Sequence, residues 1–96
     1  VNTLPVNFAG HAIAKSTLLT MTDLAVKTYS PNIRINTIIA GLIMKSDFDT
    51  HWGALIKKTP LKKSGSVEDI FNTIQYLSNT TYVTGATINV DGGISI

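Results

Sequence analysis

At 96 residues the chain can form one small domain at most, because the share of surface buried on folding falls with length. Its 44% hydrophobic and 15% charged residues fit a globular sequence rather than a disordered one, and no apolar run approaches the ~18 residues of a membrane span. The net charge is only +2, and the absence of cysteine rules out a disulfide framework or a thiolate zinc site. No basic-then-apolar leader is visible, so the expected location is cytoplasmic.

Residues 1–10 hold Pro5 and Gly10 without a clear period and are expected to be a loop. From about residue 11 to residue 29, Ala14, Leu18, Met21, Leu24, Ala25 and Thr28 recur at helical spacing, and Pro31 and Asn32 stop that helix. Residues 33–39 are rich in isoleucine and bounded by turn residues, which predicts a strand buried on both faces, as in a parallel sheet. Ala40-Gly41 then lets the backbone turn. A shorter helix is expected over 48–58, ended by Pro60. Ser66, with Asp69 three residues later, marks a helix start. Val67, Ile70, Phe71, Ile74 and Leu77 supply that helix with an apolar face. Residues 84–90 read as a last strand, closed by Gly92-Gly93.

The order helix, strand, helix, helix, strand predicts an α/β fold with parallel strands joined by helical crossovers. Residues 1–96 are read as a partial domain. Two parallel strands alone cannot cover both faces or satisfy their outer edges, so the piece is expected to need partners.

Few side chains suggest chemistry by themselves. Lys57, Lys58, Lys62 and Lys63 fall within seven positions and could face nucleic acid. The favoured reading is a solvated helix end, since cations complement the C-terminal dipole and no aromatics interleave for base stacking. His11 and His51 are forty residues apart with no carboxylate pattern between them, so no metal site is expected. Phe48, His51 and Trp52 are read as packing residues of the second helix.

Three stretches, in order and at matching spacing, resemble the second half of a short-chain dehydrogenase/reductase. They are Ala14-Lys15; Ile33-Arg34-Ile35-Asn36 with Ala40-Gly41; and Tyr82-Val83-Thr84-Gly85 through Val90-Asp91-Gly92-Gly93. The resemblance covers residues 11–96. It implies the C-terminal part of a Rossmann-type, doubly wound parallel sheet, without the N-terminal nucleotide-binding half. It also implies an NAD(P)(H) cofactor for the complete enzyme, with hydride passing to or from a carbonyl, imine or enoyl group. The stretch Thr59-Pro60-Leu61-Lys62-Lys63, with Glu68-Asp69-Ile70, is most similar to pteridine- or dihydrofolate-reducing and ketoacyl-reducing members.

In that family a Tyr-x-x-x-Lys pair opens the helix, with the tyrosine as acid/base and the lysine lowering its pKa and bonding the nicotinamide ribose. Positions i and i+4 share a helix face, so the two groups meet. Here the lysine is Lys15, but four residues earlier stands His11. The enoyl-reductase spacing of seven reaches Phe8, so neither register supplies a phenol. Imidazole can move protons near neutral pH, but Lys15 beside it disfavours the protonated form. The expectation is a substituted, inactive position, with His11 as a working acid the rival reading.

Gly41, Leu42 and Ile43 match the turn that holds the nicotinamide carboxamide. Glycine is sensible there if the backbone must approach a planar ring. Ala40 replaces the family's proline, Lys45 stands where a cofactor-binding threonine is frequent, and Phe48, His51 and Trp52 fall in what would be the family's variable, substrate-covering segment. No Gly-rich phosphate loop occurs in these residues, and the family serine would fall upstream of Val1. The chain alone is therefore expected to hold no cofactor tightly. The expected partners are a second copy of itself or a complementary N-terminal half; the alternative function is a non-catalytic association module.

Overall fold

The computed structural model describes residues 6–43 and 50–96. In chain order these residues form α1 (Val6–Tyr29), β1 (Thr37–Ala40), α2 (Thr50–Lys58), α3 (Val67–Asn79) and β2 (Thr87–Val90). The two strands pair in parallel, with Thr37 opposite Thr87 and Ala40 opposite Val90. The α/β order and the parallel pairing are those read from the sequence.

The boundaries differ in two places. α1 begins at Val6, so Gly10 lies inside the helix rather than in a loop. A single helical glycine costs only about 1 kcal/mol relative to alanine, which a 24-residue helix can absorb. The strands are shorter than expected because 34–36 and 83–86 meet largely through side chains. Arg34 donates from Nη1 to the carbonyls of Leu77 and Val83, both at 3.0 Å. Asn36 donates to Val83 O at 3.1 Å and accepts from the Ala86 N–H at 2.9 Å. The Ile35 N–H donates to Thr84 Oγ1 at 3.1 Å, while its carbonyl accepts from Gly85 N at 2.8 Å. These bonds align the two segments just ahead of the ladder and so fix its register.

α3 starts where the sequence predicts. Ser66 caps it, with its hydroxyl accepting from the Asp69 N–H at 3.3 Å and its own N–H donating to Asp69 Oδ2 at 2.8 Å. Two orphan donors of the first turn are thereby satisfied. At the other end, Arg34 takes up the Leu77 carbonyl, and Thr80 N bonds to Tyr76 O. Lys62 closes α2 in a similar way, donating from Nζ to the Lys57 carbonyl at 2.7 Å.

The core is thin. Among the described residues only Leu77, 8% exposed, and Thr59, 1% exposed, are buried. The apolar face predicted for α3 is split: Ile70 and Leu77 turn inward, whereas Val67, Phe71 and Ile74 are exposed. α1 shows a similar division. Leu19, Ala25 and Val26 are half-buried, but Leu18, Met21 and Leu24 of the periodic set stand more than half exposed. Ile13 is exposed as well. Exposed apolar side chains along both helices show that the described residues do not cover all of their own apolar surface.

Candidate functional site

The site residues collect around the C-terminal ends of the two strands. Lys15 sits on the half-buried side of α1, with Leu19 one turn further on. Together with Ala14 and Leu18 they face the whole of β1, Thr37 to Ala40, across an open groove of about 370 Å³. β1 pairs with β2 along one edge, and its other edge carries no strand among the described residues. Lys15 thus presents a cation to a groove at an unpaired sheet edge. His11 lies one turn before Lys15 on the same helix, and its side chain falls outside the described residues. The same is true of Phe8, His51 and Trp52, while Lys45 and Phe48 lie wholly outside them.

Gly41 follows β1 directly, and its N–H donates to Val90 O at 3.0 Å. A Cβ at Gly41 would lie 2.6 Å from Asp91 Cβ and 2.7 Å from Asp91 Cα. Glycine is required here by the backbone of β2. Leu42 and Ile43 are tied in turn to the start of α3, with Leu42 O accepting from Gly65 N at 2.7 Å and Ile43 bridging Gly65. The turn is therefore anchored at both ends.

Sequence reasoning gave Asp91 no role of its own. Its carboxyl is held below the usual carboxylate range, chiefly by the Ser95 hydroxyl, then by N–H groups of Gly93 and Ser95, with a smaller pull from Lys15. The bond from Gly93 N to Oδ1 is 2.9 Å. The signal that could have found this is the short polar pattern Asp91-Gly92-Gly93 immediately after a strand.

Asp69 is held low as well, mainly by the Ser66 N–H and hydroxyl and further by Lys63. Both folded pKa values lie below their unfolded ones. The stabilisation is therefore full above the unfolded carboxyl pKa of about 4 and is lost as pH falls through the folded values. Melting temperature should drop as pH is lowered from about 5 toward 2, and Asp69→Asn should flatten that drop while lowering stability at neutral pH. Parallel pH profiles for the two proteins would remove Asp69 from this account.

A second hollow of about 340 Å³ lies between the β2 end and α3, bordered by Leu42, Lys63, Thr73, Asn89 and Asp91 among others. No described helix is long and apolar enough to cross a membrane.

With this geometry in view, residues 5–95 match the family profile described as enoyl-(acyl carrier protein) reductase. The chain belongs to the short-chain dehydrogenase/reductase family. It is 32% identical to an uncharacterised oxidoreductase of Mycobacterium tuberculosis, over 92% of this chain and 36% of that protein. It is likewise 32% identical to the 3-oxoacyl-[acyl-carrier-protein] reductase of Rickettsia felis, over 90% of this chain and 39% of that one. Among solved structures, a blue fluorescent protein from a metagenomic library, in complex with NADPH, superposes with a TM-score of 0.82 at 29% identity. That match covers 93% of this chain and 38% of the other. The chain therefore spans little more than a third of these relatives, and it corresponds to their C-terminal part. The Rossmann-type reading of the fold stands.

Proposed function

We propose that these residues form the C-terminal portion of an NAD(P)(H)-dependent oxidoreductase that moves hydride to or from a carbonyl, imine or enoyl group. One observation carries this: Lys15 lines an open groove together with the whole of β1, and Ala40 at the end of that strand leads directly into the Gly41 turn. The residues fit the nicotinamide end of a dinucleotide. Lys15 would bond the ribose hydroxyls, and Gly41, Leu42 and Ile43 would hold the carboxamide. The bound cofactor supplies the hydride; the chain supplies orientation and a fixed positive charge. Similarity to a 3-oxoacyl carrier-protein reductase favours a carbonyl substrate.

The unpaired edge of β1 is the place for a further strand, and a complementary N-terminal half is the partner that would provide it along with a phosphate-binding loop. Alone, the segment is inactive in this reading. The exposed apolar side chains on α1 and α3 favour self-association as well, and give the alternative of an association module some footing.

His11 is the position to test. Supplied with a complementary half, the protein should turn over slowly, and His11→Tyr should raise kcat by about two orders of magnitude, the lower end of the range for a positioned acid/base. A variant equal to or slower than the parent would show that the histidine is the working acid, or that the acid lies elsewhere.

A further inference from the structure

The turn that ends β2 touches two segments that lie far from each other in sequence. On one side Asp91 packs its Cα and Cβ where a Gly41 side chain would be. On the other side Gly92 accepts the Leu61 N–H at 3.1 Å. A Cβ on Gly92 would lie 2.7 Å from Thr59 Cγ2, and one on Gly93 would lie 3.0 Å from Pro60 Cγ. Both glycines have positive φ, 62° and 91°, a backbone shape that glycine takes at no steric cost.

Thr59 is the most deeply buried of the described residues. It ends α2, with its N–H bonded to Ile56 O at 3.0 Å and its hydroxyl donating to Leu55 O at 3.2 Å. Its carbonyl accepts from Lys62 N at 2.8 Å. A small β-branched residue meets every requirement here: the hydroxyl stays with α2 and the methyl fills the space above Gly92.

We infer that Thr59, Asp91 and Gly92 are positioning residues: the 91–93 turn clamps the foot of α2 to the Gly41 turn, so that the two segments move as one unit. On the oxidoreductase reading, α2 belongs to the stretch covering the substrate and Gly41 to the turn holding the nicotinamide. The clamp then sets substrate cover and cofactor in register. That functional meaning rests on the reading proposed above, whereas the clamp itself rests on contacts alone.

Amide hydrogen exchange, resolved by NMR on the intact protein without cofactor, separates the two. Thr59→Ser removes the methyl against Gly92 and keeps the hydroxyl bond to Leu55. It should speed exchange at Leu61, Gly41 and Gly65 together, by about five- to tenfold relative to Gly85 at the opposite end of the strands. Thr59→Val keeps the methyl and loses the hydroxyl bond; it should fray the end of α2 and leave Gly41 and Gly65 unchanged. A rise confined to Leu61 overturns the clamp, as does an equal rise at Gly85 or the same pattern in both variants. Failure of Thr59→Ser to fold also overturns it, since the methyl would then support the whole fold rather than one linkage. Because no cofactor enters, the result stands whether or not the protein proves to be an oxidoreductase.

Discussion

Gly41→Ala should destabilise the fold by about 3 kcal/mol, the upper part of the usual range for forcing a methyl into a filled space. The atoms that such a methyl would meet are Asp91 Cβ and Cα, at 2.6 and 2.7 Å, and one of them is backbone. A flexible side-chain tip could swing away; the end of a paired strand cannot. Relief requires β1 and β2 to separate at the Ala40–Val90 pair, breaking the bond from Gly41 N to Val90 O. A loss of this size is a large fraction of the roughly 5–15 kcal/mol that a whole domain has to spare. Chemical denaturation of parent and variant would show it as a shift in midpoint. A change under about 0.5 kcal/mol, the scatter of neutral surface substitutions, would mean that the approach of Gly41 to Asp91 is looser than described.

Arg34→Ala should cost about 2–3 kcal/mol, because hydrogen bonds to a charged group are worth more than neutral ones and the carbonyls left behind lose their partner. The guanidinium reaches the Leu77 carbonyl in the last turn of α3 and the Val83 carbonyl in the loop beyond, and it lies 3.5 Å from Ser78 O. One side chain thus satisfies the end of α3, complements its dipole and ties the helix to the entry of β1. Arg34→Lys should restore less than half of the loss, since an ammonium is a point donor and cannot span the fork. Thermal unfolding of the three proteins tests this. Full rescue by lysine would show that charge at the helix end matters and the forked geometry does not.

The sequence disclosed the elements whose signals are local. The capping box at Ser66 and Asp69, the isoleucine-rich run before Gly41 and the glycine pair after Val90 each announce a structure through near neighbours, and all are present. Arg34 was hidden because its partners lie more than forty residues away and are backbone carbonyls, which carry no residue signature. Gly41 was legible as a glycine that the backbone needs, but its approach to Asp91 was not, because that neighbour lies far away in sequence. The burial of Thr59 was hidden for the same reason, since only the fold brings it to Gly92. Periodicity gave α3 its apolar face, whereas the apolar residues of α1 spread round the helix with little sidedness; in neither case could it say which of them the fold covers. Lys15 and Gly41 could be named as candidates from their spacing, whereas the close approach of Asp91 to Gly41 could not.

The central claim is that Lys15 and the Gly41 turn are one part of a cofactor site completed by a phosphate-binding half. Calorimetric titration with NADPH and NADH tests it most directly, on the 96-residue segment alone and again with a complementary N-terminal half added. The account predicts no tight binding by the segment alone, because pyrophosphate recognition needs backbone N–H groups of a Gly-rich loop absent from these residues. It predicts micromolar binding on complementation, weakened roughly tenfold by Lys15→Met through loss of one charged hydrogen-bond donor. Micromolar binding by the segment alone, or complemented binding indifferent to Lys15→Met, would contradict it.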